Sequence, residues 1–285
     1  MNKRLVKESL KASVIIAVYK DVEALNCIFW GLEQQTEKSF EVIVAEDGQD
    51  STVASFIDAY KSDNLRIEHL TQEDIGFRKT RAANRAVLRA SSSYLIFIDG
   101  DCIPHPTFVE MHLKNASQGV FLAGRRMHLG KSWSNRVRKN PCALKTLFSP
   151  LGFLMQFFYL HFDGVRNYEI GNPSNLLNRL LGNKHVSLIG CNFSLSRDTF
   201  YAINGYDEDL TGVGGEDGDL EWRLNMAGIF SKSVKFQAIV YHLFHKSRRE
   251  NAETNANKSI TNRRLKKYKC SKGIEQHFSE SLLKK

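Results

Sequence analysis

Paired cysteines are what this 285-residue sequence most clearly lacks. Its five, Cys27, Cys102, Cys142, Cys191 and Cys270, are odd in number and contain no Cys-x-x-Cys spacing. That argues against a disulfide framework and against a zinc site legible from spacing, and it makes a reducing cytoplasm the expected compartment. Long apolar runs are missing as well: the longest, Leu151 to Phe162, is broken by Gln156 and His161 and falls short of a bilayer span. Met1 to Lys11 is basic and polar with no apolar core behind it, so no signal peptide is visible. No Gly-x-Gly-x-x-Gly follows the first apolar segment and there is no phosphate-loop lysine motif, which removes the main support for dinucleotide or ATP-loop binding. Acidic residues are the minority charge, 31 against 40 basic, giving a net charge of +9 and a sequence pI near 9.3. Such a balance favours anionic partners: nucleotide diphosphates, nucleic acid or an acidic membrane surface. No nucleic-acid recognition motif is present, and nucleotide-diphosphate binding explains the charge equally well, so nucleic acid is not expected as a partner.

What is present is organised around Tyr94-Leu95-Ile96-Phe97-Ile98-Asp99-Gly100-Asp101-Cys102. A run with strong strand preference ends in two carboxylates separated by one glycine, which reads as a buried strand reaching a charged sheet edge. Open α/β sheets bind ligands at such strand ends. Residues two apart in an extended segment face the same way, and Gly100 lets the backbone turn so that Asp99 and Asp101 can meet one hard cation. A few carboxylates of this kind suit Mg²⁺ or Mn²⁺ holding a diphosphate. Taken alone, the tripeptide is as well explained by a polar turn.

Upstream, strand-like segments (12–19, 40–45, 65–70) alternate with helical ones (25–34, 53–60, 80–90), a pattern that predicts a parallel sheet with helices on both faces. With a 42% hydrophobic content, the chain can bury a full core as one domain with an elaborated end. Asp47 follows the second strand and is either a base-recognising carboxylate or an Asx-type turn. Between Gly124 and His185 a basic cluster (Arg125, Arg126, Lys131, Arg136, Arg138, Lys139) precedes the apolar stretch 149–162. It reads as a membrane-surface element, or as a solvated loop followed by a core helix; a lone apolar helix is more often core than anchor. Further on, Gly214 and Gly215 precede Glu216, Asp217 and Asp219 at the start of a helical segment. Acids there can simply complement the helix dipole, but the glycines permit close approach of a ligand, and one carboxylate could serve as a base. His242 and His245 end a strand-like run and are either structural or completions of the cation site. The basic tail beyond Lys246, with Arg248, Arg249, Arg263 and Arg264, reads as an arm over the site, a membrane contact or disorder.

In order, the segments SVIIAVYK (13–20), AEDGQDST (45–52), GFRKTRAANRA (76–86), FIDGDC (97–102), GCNFSLSRDTF (190–200), INGYDEDLTGVGGEDGDLEWRL (203–224) and HLFH (242–245) carry a resemblance. The chain resembles the family 2 glycosyltransferases of the GT-A fold. Its carboxyl half is similar to the galactosyltransferase region of β-1,4-galactosyltransferases and bacterial chondroitin polymerases. The resemblance implies one GT-A domain over 1–250, with a Rossmann-like nucleotide-sugar half (12–102), a catalytic and acceptor-binding half (103–250), and a tail (251–285). It implies a metal-dependent, inverting transfer from a nucleotide-sugar, usually a UDP-sugar, to a hydroxyl of a glycan or lipid-linked acceptor in cell-surface polysaccharide or lipopolysaccharide synthesis. The enzyme would be cytoplasmic, with peripheral contact to the inner face of the membrane as one reading of its basic and apolar middle.

Carried over residue by residue, the resemblance implies that Asp99 and Asp101, with His242 or His245, bind the metal, Mn²⁺ or Mg²⁺. Val18, Tyr19, Asp47, Arg78, Asn84, Asp99, Gly100 and Asn192 would line the donor site. Asp217 would be the catalytic base beside Glu216, and Gly215, Glu216 and Asp219 would meet the acceptor. Three positions depart from the family pattern: Val213 stands where a tryptophan is usual, Ala83 where an arginine is, and Glu46 where an aspartate is. The alternative is a catalytically idle GT-A domain that binds nucleotide or sugar, against which the intact Asp99, Asp101 and Asp217 argue.

Overall fold

Ser13 to Ile16 and Val42 to Val44 contain almost nothing but β-branched residues, and both segments form strands buried on both faces, as a sheet covered on each side requires. The structure is a computed structural model that describes residues 10–167, 170–182, 185–246 and 252–278. The chain's first nine residues, and Arg248 and Arg249 of the basic tail, lie outside the described residues. The amino half runs β1 (Ala12–Val18), α1 (Val22–Glu33), β2 (Phe40–Glu46), α2 (Ser51–Ala59), β3 (Arg66–Leu70), α3 (Lys79–Arg89) and β4 (Tyr94–Asp99). Asp21 and Asp50 start α1 and α2 by accepting the free amide N–H groups of their first turns. Each strand and helix expected from the pattern is present, with ends shifted by a few residues.

The carboxyl half adds β5 (Cys102–Pro104), α4 (Phe108–Asn115), β6 (Val120–Ala123), β7 (Arg125–His128), α5 (Lys131–Lys139), a 3₁₀ segment (Pro141–Leu147), α6 (Pro150–Phe162) and α7 (Asn175–Leu181). Then come β8 (Phe193–Ser196), α8 (Arg197–Ala202), α9 (Glu216–Met226), β9 (Phe230–Ser233), β10 (Ile239–His242), α10 (Ala252–Arg264) and a second 3₁₀ turn (Ile274–His277). Seven strands form the main sheet in the order β3-β2-β1-β4-β8-β6-β9, and β5-β10-β7 form a small second sheet. The first four strands are parallel, as expected, but β8 runs antiparallel to both β4 and β6, so the full sheet is mixed. Phe97 on β4 faces Phe193 on β8 with stacked rings 4.5 Å apart, which seals the junction between the two halves.

Two expectations for the carboxyl half change. The α6 helix is not a core helix: Leu160 is buried, but Leu151, Leu154, Met155, Phe158 and Phe162 are exposed. The described part of the tail is folded, for α10 lies on the glycine-rich loop through Asn255, whose amide donates to the Gly214 carbonyl at 2.8 Å. Farther along, the Glu275 amide and the Lys269 to Glu275 ion pair fix the last 3₁₀ turn beside Asn204.

Candidate active site

Parallel pairing of β1 with β2 and β4 brings Val18, Glu46 and Asp99 to one edge of the sheet. Gly100 is confined there, since a Cβ would lie 2.7 Å from the Ala17 carbonyl oxygen. The chain therefore turns sharply after Asp99 and enters β5, where Cys102 pairs with His242 of β10, and His242 in turn pairs with His128 of β7. Cross-strand partners share a sheet face. One carboxylate oxygen of Asp101 lies 3.1 Å from His245 Nε2 and 3.4 Å from His242 Nε2, and the Cys102 thiol donates to the other at 3.3 Å. Single ligand atoms from Asp101, Cys102 and His242 all fall within 4.8 Å of one another. Spacing of that order is what the edges of a metal coordination polyhedron require. Burial would raise the Asp101 carboxyl, but His245 and His242 hold it below the usual carboxylate range. The Asp101 hydrogen bond raises His245, while burial lowers His242 and brings His128 down to about 4. A carboxylate beside imidazoles is a donor set that fits a divalent cation.

The second group starts at α9, which begins at Glu216 after a loop in which Gly212, Gly214 and Gly215 all have positive φ, a backbone only glycine adopts freely. Asp217 Oδ2 accepts the Gly190 amide at 2.7 Å, and its buried Oδ1 has no hydrogen-bond partner. Lys79, at the first turn of α3, supplies the opposing charge, and its ammonium sits 2.5 Å from Asp99 Oδ1. Lys79 and Asp217 converge on Gly190, where a Cβ would lie 2.6 Å from Asp217 Oδ1 and 2.8 Å from Lys79 Nζ. Burial raises the Asp217 carboxyl and Lys79 opposes it; with Glu216 and Asp99 adding to the rise, the group stands at about 7. Burial works against the Lys79 charge, yet Asp99 and Asp217 hold that ammonium well above the usual lysine range. A carboxylate with one free oxygen, poised near neutrality, is suited to take a proton.

Residues 13–202 match the sequence profile of Glycosyl transferase family 2. The chain belongs to that family. Residues 182–246 also match the profile described as the N-terminal domain of galactosyltransferase. Among relatives of the family 2 chain, validoxylamine A glucosyltransferase of Streptomyces hygroscopicus subsp. jinggangensis is 31% identical over 226 residues, covering 76% of this chain and 52% of that protein. Chondroitin synthase of Escherichia coli is 25% identical over 269 residues, 91% of this chain and 38% of that protein. The chain thus spans about half or less of the length of these relatives. In fold it matches the mannosyltransferase PcManGT of Pyrobaculum calidifontis, solved with GDP-Man and Mn²⁺, at a TM-score of 0.57 and 13% identity over 95% of this chain and 68% of that one. GalNAc-T7, solved with UDP, GalNAc and Mn²⁺, gives 0.59 at 12% identity over 90% and 48%. The fold is the GT-A fold of these glycosyltransferases.

In this family 2 chain the expected residues divide into those the structure brings together and those it spends on packing. Asp101, His242 and His245 cluster, and Lys79 joins Asp99 to Asp217, which follows Glu216 at the start of α9. Asp47 is fixed through its two oxygens, one accepting from Gln72 at 2.7 Å and the other from the Arg78 amide at 2.6 Å; Arg81 donates to the same Gln72 at 3.2 Å. Tyr19 stays exposed at the end of β1, with the Lys20 ammonium 4.7 Å from its ring centre. Glu46, where the family usually has aspartate, is buried between His69 and the Asp50 amide, each 2.7 Å away, and so fixes the loop.

Three expected contacts are corrected. Asp219 is completely buried in an ion pair with Arg223 at 2.7 Å, so no acceptor reaches it. Asn84 is spent inside, donating to the Tyr206 carbonyl and accepting from the Tyr206 amide, both at 2.9 Å. Asn192 donates at 2.8 Å to the Arg125 and Ala238 carbonyls and meets His112, so it ties strands together and faces no donor. Arg223 also donates to the Ile203 and Gly205 carbonyls. Removing one partner of a buried pair strands the other charge, so Arg223→Met is expected to cost about 3–5 kcal/mol of stability. Urea denaturation checks this, and a loss under about 1 kcal/mol would show that the pair is not structurally important. Missed in the sequence were Lys79, which follows Arg78 but carries no spacing signal, and His128, whose strand of four residues is too short to announce itself.

Proposed function

We propose that this protein is a divalent-metal-dependent, inverting glycosyltransferase that moves a sugar from a nucleotide-sugar, a UDP-sugar by its family resemblance, to a hydroxyl of a glycan or lipid-linked acceptor. The single observation that carries the reading is the linkage of the Asp101–His242–His245 cluster, through the neighbouring Asp99 and its Lys79 partner, to Asp217 with its free oxygen. Asp47, Gln72 and the Arg78 amide offer a rigid frame for the base and ribose end of the donor. Asp101 with His242 and His245 would hold Mn²⁺ or Mg²⁺, the imidazoles favouring Mn²⁺, and the bound cation would offset the charge that builds on the departing diphosphate.

Asp217 Oδ1 takes the acceptor's hydroxyl proton as the acceptor oxygen attacks the anomeric carbon from the face opposite the diphosphate. The carbon–oxygen bond to the diphosphate breaks as the new glycosidic bond forms, and the configuration inverts. Lys79 keeps Asp99 and Asp217 from repelling one another and fixes the distance between donor and base ends. Glu216, buried and with one oxygen free of hydrogen bonds, remains for a sugar hydroxyl.

The reading is tested with a panel of UDP- and GDP-sugars and Mn²⁺, measuring nucleoside diphosphate release with and without glycan and glycolipid acceptors. One donor released well above background supports it. Tight nucleotide binding with no release from any donor would assign the protein to the idle-domain class instead. The cell-surface glycan pathway and a cytoplasmic site of action follow the family resemblance; among the described residues no helix is long and apolar enough to cross a membrane.

A further inference from the structure

We propose that α6 is the face by which this enzyme sits on an anionic phospholipid surface. From Pro150 to Phe162 the helix contains no aspartate, glutamate, lysine or arginine. Leu151, Leu154, Met155, Phe158 and Phe162 stand at i, i+3, i+4, i+7 and i+11 and so share one stripe of it. Their exposures run from 68% to 84%, whereas Leu160 on the other side is 1% exposed. Contacts beneath the helix fix this orientation: Phe153 presses on Gly171, and the Tyr159 ring meets Trp133 edge-on at 6.0 Å. Single exposed apolar side chains are ordinary, but a continuous stripe marks an interaction surface. Nearby, α7 adds exposed Leu176, Leu180 and Leu181.

Charge selects the occupant. Lys131, Arg136, Lys139, Lys145 and Arg166 are exposed on the elements that border α6. Arg136 lies over the same Trp133 that touches Tyr159, and the α5 amino end, with Lys131, is tied to the carboxyl end of α6 by Asp163. Asp163 is consumed in that cap, accepting the Ser132 and Trp133 amides at 2.9 Å. Apart from Glu169, which lies outside the described residues, residues 125–182 contain no other acid. An apolar stripe with a cationic border matches lipid headgroups, which need no fixed register, better than a protein partner, which would be positioned by charges the helix lacks. The proposal depends on the transfer reading only in favouring a lipid-linked acceptor over a soluble one.

The test is co-sedimentation of the full chain with vesicles of phosphatidylcholine alone and of phosphatidylcholine with phosphatidylglycerol. Binding to the anionic vesicles that weakens as salt rises is expected. Leu154→Glu with Met155→Glu is expected to weaken partition about a hundredfold while leaving thermal stability and nucleotide binding unchanged. Lys139→Glu with Lys145→Glu is expected to weaken it about tenfold on anionic vesicles only. No partition to either vesicle, or equal partition by the Leu154/Met155 variant, overturns the proposal. So does a lipid-free wild-type dimer that the same variant converts to monomer, which would assign the stripe to a second copy of the chain. Failure of nucleoside diphosphate release leaves these outcomes untouched, so the two readings fail separately.

Discussion

Asp217→Asn is expected to keep donor affinity within about twofold while lowering transfer by about 10²–10⁴-fold, the usual worth of a positioned general base. The amide is nearly the same size and keeps the oxygen that accepts the Gly190 amide, so the loop has no reason to move. What is lost is the proton acceptor at Oδ1. The wild-type pH profile follows from the same group: the carboxyl stands at about 7, raised first by burial, and only its deprotonated form accepts a proton. Hence kcat/KM should fall as pH drops below about 7 and level off above it, and the Asn variant should lose that inflection. Near-normal turnover by the variant removes Asp217 from the base role.

Asp101→Ala should weaken Mn²⁺-dependent nucleotide binding by about a hundredfold or more, since deleting a direct ligand costs more than the 10–100-fold typical of an outer partner. The carboxylate lies between both imidazoles and the Cys102 thiol, so no neighbour can replace it without moving a strand. Metal-free nucleotide affinity, which the proposed site assigns to Asp47 and its frame, should be unchanged. Calorimetry of the variant with and without Mn²⁺ separates the two, and an unaltered Mn²⁺ effect would move the metal elsewhere.

The parallel half of the fold was legible because β1, β2 and β4 are buried on both faces and α3 carries strong formers, so local preference and tertiary placement agree. The Asp99-Gly100-Asp101 edge was legible for the same reason: a buried strand has to end somewhere, and carboxylates announce where. Beyond β5 the signals conflict. β8 has only four residues and its direction depends on pairing with β4, which no local pattern encodes. Asp217 and Asp219 look alike in sequence, and only the turn of α9 sends one toward Gly190 and the other into an ion pair with Arg223, four residues on. Asn84 and Asn192 sit in motifs shared with the family, yet here their amides satisfy buried backbone groups, a role that becomes visible once the partners are in place. For α6, apolar composition suggested core; the helix instead packs through Phe153, Tyr159 and Leu160 and leaves the stripe of Leu151, Leu154, Met155, Phe158 and Phe162 exposed.

Whether the Asp101 cluster and the Asp47 frame together make a metal-assisted nucleotide site is decided by titration calorimetry of the purified chain with UDP, GDP and CDP. With Mn²⁺ present, one nucleoside diphosphate, UDP by the family resemblance, should bind at least tenfold tighter than without it, and tighter than the other two. Equal affinity with and without metal, or no binding of any of the three, would contradict it.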